Sequence, residues 1–220
     1  SGPHLSMTRA FVLGNGPSLN LAPLDRLRGE FVIGMNRLDL MRLEFDPQWW
    51  ILVDVRNEDG WWDWPKMLAK KSMFVFRDHD RPFIEPYHPS NVIFAPRCTH
   101  IGGDYIPKSW HLPTPCEYGG SMSMALQVAA ILGKNPIYLL GADLYHYRGP
   151  EEPDLNHFHP DYCRYSPRVK PEDWERLNER LVYSHEVARR SAEAMGITIY
   201  NATEGGALEV YPRVSLSEVL

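Results

Sequence analysis

Ala10-Phe11-Val12-Leu13-Gly14-Asn15-Gly16-Pro17-Ser18-Leu19 runs four apolar residues straight into a glycine turn. An unbroken apolar run of this length, stopped by Gly, reads as a strand buried on both faces, the pattern of a parallel sheet. The same design recurs. Phe31 to Met35 delivers Asn36, Trp49 to Val53 delivers Asp54, and Pro136 to Leu140 ends in Gly141-Ala142-Asp143. Four apolar strands that each end in a small polar residue predict one shared rim at their carboxyl ends.

Between these strands the chain alternates in type. Further short strands are predicted at Met73 to Phe76, Asn91 to Ala95 and Ile197 to Tyr200. A helix is predicted from Ser121 to Leu132, opening after Gly119-Gly120 and stopping at Gly133, and its lack of a polar face predicts burial. A longer amphipathic helix is predicted from Pro171 to Met195, with Pro171 in its first turn and Gly196 at its end. Leu208 to Val214 reads as a peripheral tail. The segment 145–170 is polar and proline-rich without a period, too long for a simple connection, and reads as a lid or substrate loop. Strands alternating with helices predict an α/β fold: a single Rossmann-like domain over 8–220, its mainly parallel sheet covered by helices on both faces, with that loop added. Ser1 to Met7 lacks the apolar run of a signal peptide and reads as a tag remnant.

Composition narrows the function. The 220 residues carry 23 basic and 28 acidic side chains, a net charge of -5, which argues against wrapping a nucleic acid polymer. No run of about 18 apolar residues predicts a membrane span. Cys98, Cys116 and Cys163 are odd in number and lack a C-x-x-C pair, so no disulfide framework is predicted and a reducing, cytoplasmic setting is expected. The 19 prolines imply long, shaped connections, where binding residues commonly lie.

Ligands of open parallel sheets bind at the carboxyl ends of the strands, where the strand order reverses. Asn15, Asn36, Asp54 and Asp143 are all predicted there. The Gly14-Asn15-Gly16-Pro17-Ser18 turn precedes a predicted helix and offers backbone N–H groups to a phosphate, although it lacks the lysine of a Walker loop and the third glycine of the dinucleotide fingerprint. Gly120-Ser121 offers a second such turn, with close helix packing as the alternative. Asp143 is suited to ribose hydroxyls, to a metal, or to capping a turn. Tyr145 and Tyr147 could donate to a leaving phosphate.

Asn156 to Cys163 contains His157, His159, Asp161 and Cys163, whose spacing fits no standard zinc site. A general base in a closing loop is the preferred reading, because imidazole titrates near neutral pH. Trp49-Trp50 and Trp61-Trp62-x-Trp64 read either as a stacking platform or, more simply, as core. Arg164, Arg168 and Lys170 read as a solvated face, and His185 as a solvated or core-edge position on the long helix.

The glycine turn, the strand ending in Asn36, the segment Ser121 to Gly133 and Ile137 to Tyr145 together resemble the bacterial sialyltransferases of glycosyltransferase family 42. They are also similar to the related DUF115 proteins, which include motility-associated glycosyltransferases and archaeal 6-hydroxymethylpterin diphosphokinases. His157-Phe158 and the closing stretch Ile199 to Thr203 through Pro212-Arg213-Val214 look more like the latter group. The resemblance implies a transferase that inverts a nonulosonic acid or similar sugar from a CMP-linked donor onto a glycan hydroxyl, with no required metal. It assigns donor contacts to Asn15, Gly16, Ser18, Asn36, Asp54, Gly120, Ser121, Gly141 and Asp143 and the leaving phosphate to Tyr145; the position of the family's catalytic histidine, just before the last helix, lacks one here, and His157 takes the acceptor proton by its place in the loop. Asp54 stands where the sialyltransferases have asparagine, and Gly120-Ser121 replaces Thr-Ser. The alternative it implies is diphosphate transfer from ATP to a hydroxymethylpterin, with Mg²⁺ on Asp54 and Asp143. A nucleotide-binding module without catalysis is the third expectation. A homo-oligomer stays open.

Overall fold

In the computed structural model of the chain, the residues described are 8–53, 55, 62–96, 107–116, 118–144, 155–162 and 173–220. The predicted strands form: β1 (Ala10–Leu13), β2 (Val32–Met35), β3 (Trp49–Leu52), β4 (Met73–Arg77), β5 (Val92–Ala95), β6 (Ile137–Leu140) and β7 (Ile199–Asn201). They make one seven-stranded sheet in the order β5-β4-β3-β2-β1-β6-β7, and every pairing is parallel. The chain therefore builds outward from β1 to β5, then returns to the other side of β1 with β6. That reversal places the topological switch point between β1 and β6, where open α/β sheets bind ligands. The fold is α/β and Rossmann-like, as the sequence predicts.

Side-chain alternation divides each strand between two apolar layers. Val12, Ile33, Ile51 and Leu139 face one layer, which is completed by α3 (Ser121–Ile131) and α4 (Trp174–Ala194). Every residue of α3 from Ser123 to Ala130 is buried, because the helix is held between the sheet and α4. That burial explains why its sequence has no polar stripe. Truncating Leu126, which is fully buried, to Ala should cost about 2–5 kcal/mol.

Phe11, Leu13, Trp50, Leu52, Phe74 and Phe76 face the opposite layer. It is covered by short pieces instead: α1 (Trp64–Leu68), α2 (Arg81–Ile84), α5 (Leu216–Val219) and 3-10 turns at Pro17–Leu21 and Leu24–Leu27. Phe11, Tyr138 and Tyr200 stack across β1, β6 and β7 at 5.2 and 5.6 Å, since the register sets them side by side. We call these the helix face and the tail face.

The structure corrects three expectations and decides a fourth point. The piece after the glycine turn is a five-residue 3-10 helix rather than an α-helix, so it supplies little dipole. The 208–214 segment is not peripheral: Leu208 and Tyr211 are buried, and Asn201 ties the segment down by donating its side-chain amide to the Leu208 carbonyl. Trp50, Trp62 and Trp64 are core, the simpler of the two readings, with the rings of Trp62 and Trp64 stacked at 5.0 Å. Cys116 is disulfide-bonded, contrary to the expectation from cysteine number, and its partner lies outside the described residues. Among the described residues no helix is long and apolar enough to cross a membrane.

Candidate functional site

The switch point is built by two strand ends that lie side by side. Leu13 pairs with Leu140, so the turn after β1 and the turn after β6 meet. The Gly14 N–H donates to Leu140 O at 2.7 Å and the Gly16 N–H to Gly141 O at 2.9 Å. Two of the turn's amides are thereby committed to the neighbouring strand end.

The carboxylate of Asp143 packs on the same turn. Its Oδ2 accepts from Ser18 Oγ at 2.6 Å, and the carboxylate also accepts from the Ser18 N–H. A Cβ at position 16 would lie 1.9 Å from that oxygen, which is why glycine stands there. Burial pushes the Asp143 carboxyl above its ordinary value, while the two bonds from Ser18 and the positive charge of Arg213 oppose the shift. The chain's own anion thus occupies the amide end of the 3-10 turn. A ligand phosphate at Gly16 and Ser18 would have to take the place of that carboxylate.

Asn15 forms the other half of the crevice. Its Nδ2 donates to Met35 O at 3.0 Å and to the Tyr162 hydroxyl at 2.8 Å. Its Oδ1 is buried and accepts nothing from the described residues. Segment 155–162 seals it: the Phe158 N–H donates to Asn15 O at 3.0 Å, Asn20 Nδ2 donates to Phe158 O at 2.8 Å, and His157 stacks on Tyr162 at 3.8 Å. His157 is half-buried and sits one ring away from the Asn15 amide. This part of the predicted loop is therefore docked onto the glycine turn, while the remainder of 145–170 lies outside the described residues.

Asn36 links the rim to the helix face. It takes a positive φ of 43°, a conformation that Asn tolerates better than most residues. Its carbonyl accepts from Trp50 Nε1 at 2.9 Å, and its Nδ2 donates to Ser121 Oγ at 2.7 Å, at the start of α3. Gly119 and Gly120 both have positive φ, and a Cβ on Gly119 would meet Ser184 Oγ of α4 at 1.9 Å. Helix packing accounts for Gly119, whereas a Cβ on Gly120 would meet nothing.

The structure brings Asn15, Gly16, Ser18, Gly141, Asp143 and His157 together at the switch point, with Asn36, Gly120 and Ser121 beside them on the helix face. Asp54 and Tyr145 lie outside the described residues, as do Tyr147, Cys163, Arg164, Arg168 and Lys170. Among the described residues no group of His, Cys, Asp or Glu is arranged to hold a metal. Asp143, the described member of the pair expected to bind Mg²⁺, is engaged with Ser18. His185 is in the core on α4, bonded through Nδ1 to the Tyr211 hydroxyl at 2.9 Å. Sequence reading did not assign Tyr162, Asn20 or Thr203, whose Oγ1 accepts from the Ala142 N–H at 3.0 Å. Tyr162 sits inside the histidine-rich run and Thr203 just after β7, and those positions were the available signals.

The fold and the site define a Rossmann-like α/β protein with a polar crevice at its switch point. No protein-family model, no curated protein and no solved structure matches the chain.

Proposed function

We propose that the chain is a transferase that binds a nucleotide-linked donor in the crevice at the carboxyl ends of β1, β2 and β6, and that the donor is a CMP-linked nonulosonic acid. The observation that carries this reading is the buried, unpartnered Oδ1 of Asn15. An unsatisfied buried acceptor costs about 1–3 kcal/mol, a cost that a ligand N–H or O–H removes on binding. A cytosine amino group or a ribose hydroxyl supplies such a donor, and in this reading segment 155–162 lifts from the glycine turn as the donor enters. Asn36 and Ser121 offer a second amide and hydroxyl nearby, and Asp143 is suited to accept from ribose hydroxyls.

In the proposed reaction the acceptor oxygen bonds to the anomeric carbon while the bond from that carbon to the phosphate oxygen breaks. The electron pair leaves with CMP, and the acceptor proton passes to His157. Tyr145, close after Asp143 in sequence, is assigned the departing phosphate. Fixed hydrogen-bond donors aimed at developing charge commonly carry much of such a rate.

Calorimetric titration with CMP and ATP tests the reading, together with CMP release from a CMP-linked nonulosonic acid. Saturable CMP binding is expected, and His157→Gln should lower turnover by about 10²–10⁴. Absence of CMP affinity at millimolar concentration overturns it. Release of AMP from ATP, dependent on a hydroxymethylpterin and Mg²⁺, would replace it with diphosphate transfer.

A further inference from the structure

A cavity opens at the carboxyl ends of β6 and β7, on the tail face of the sheet. It encloses about 460 Å³, within the range of small-molecule sites. Leu140 and Ala202 form its inner wall, and the 3-10 turns and the start of α5 form its sides. Ser18 lines it too, so the residue bonded to Asp143 stands between this cavity and the switch-point crevice.

The charges on its rim are unspent. Arg26 and Glu204 both line the cavity, and neither makes an ion pair or a side-chain hydrogen bond among the described residues. Opposite charges on one cavity that do not close on each other leave a guanidinium for an acid group and a carboxylate for hydroxyl donors. Ser217 adds a hydroxyl at the mouth, while Leu140 and Leu216 offer apolar surface to the face of a ring. A guanidinium matches carboxylate or phosphate oxygens two at a time. An acid without hydroxyls would leave Glu204 unmatched.

We propose that this cavity binds a hydroxylated, ring-sized molecule carrying one acid group, of the class of uronic acids and sugar phosphates. The acid group pairs with Arg26 and the hydroxyls donate to Glu204. Calling this ligand the acceptor rests on the transferase reading; its binding does not.

The test uses the full chain, titrated separately with glucuronate, glucose 6-phosphate and glucose while backbone amide shifts are followed by NMR. The two acidic sugars are expected to saturate and to move Thr203, Glu204 and Ser217, with an advantage over glucose of about tenfold. Arg26→Ala should remove that advantage, and Ser217→Trp, which fills the mouth, should block both acidic sugars. The better of the two identifies the acid group. Failure of both to saturate the wild-type chain, an equal response to glucose, an unchanged preference in Arg26→Ala, or binding that survives in Ser217→Trp each overturns the proposal. CMP is titrated into the same wild-type sample: acid-sugar binding without CMP binding keeps the cavity and retires the transferase reading, and the reverse result does the opposite.

Discussion

Two of the polar clusters within the apolar layers differ in what closes them. On the helix face, His185 and Tyr211 are satisfied by each other. The Tyr211 hydroxyl donates to the His185 carbonyl at 3.2 Å, which leaves the His185 Nδ1–H to donate to that hydroxyl. Burial holds the imidazole down to about 4 and drives the Tyr211 phenol well up, so both stay neutral. At the switch point, Asp143 is also shifted by burial, but upward, and the neighbouring Asn15 Oδ1 has no partner. A perturbed titration therefore marks packing in the first cluster and an incomplete set of hydrogen bonds in the second. The unfilled acceptor at the switch point, rather than the shift, is the feature on which the proposed binding reading rests.

The largest effect expected from this contrast is on the packing side. His185 titrates near 6.5 when unfolded and about 4 when folded, so the unfolded chain binds the extra proton between those values. Its contribution is complete above pH 6.5 and is lost as pH falls to about 4, by about 3 kcal/mol in all. Urea unfolding across that window should show the loss, and His185→Gln should flatten it. Asp143 acts with the opposite sign: its carboxyl is raised, so its contribution is lost as pH rises through the folded value.

Next in size is Gly16→Ala. The backbone there, φ -66° and ψ 160°, suits alanine, so the cost is steric and about 1–3 kcal/mol. In an Asp143→Ala background that cost should shrink without vanishing, because the carboxylate clash is gone while Gly141 O stays 2.8 Å from the added Cβ. Equal costs in both backgrounds would break the assignment of the contact. Tyr162→Phe removes an acceptor from Asn15 Nδ2 and should cost about 1 kcal/mol, with faster hydrogen exchange at the Phe158 amide. Smallest is Ser18→Ala, which removes a bond to the carboxylate and should raise the Asp143 titration midpoint further, read by carbon NMR of its side chain.

The sheet was legible because each strand is a short apolar run closed by a small polar residue, and burial on both faces leaves no other reading of Ala10 to Leu13 or Ile137 to Leu140. The rim positions of Asn15, Asn36 and Asp143 followed from that alone. What those side chains bond to did not follow. Ser18 and Asp143 are 125 residues apart, and only the adjacency of β1 and β6 joins them. The 3-10 turns were hidden because pieces of four or five residues carry no measurable period. Leu208 and Tyr211 were hidden because the glutamate and proline around them give the segment a solvated appearance. The cavity on the tail face draws its walls from four separate stretches of chain, so no local pattern announces it.

The proposed function rests on Asn15 Oδ1 receiving a donor group from a bound nucleotide. The direct measurement is the NMR signal of the Asn15 side-chain amide during titration with CMP and, separately, AMP. The account predicts a saturable shift with CMP that is weaker with AMP and absent in Asn15→Leu. An Asn15 signal that stays unmoved at saturating CMP, or that responds only to AMP, would contradict it.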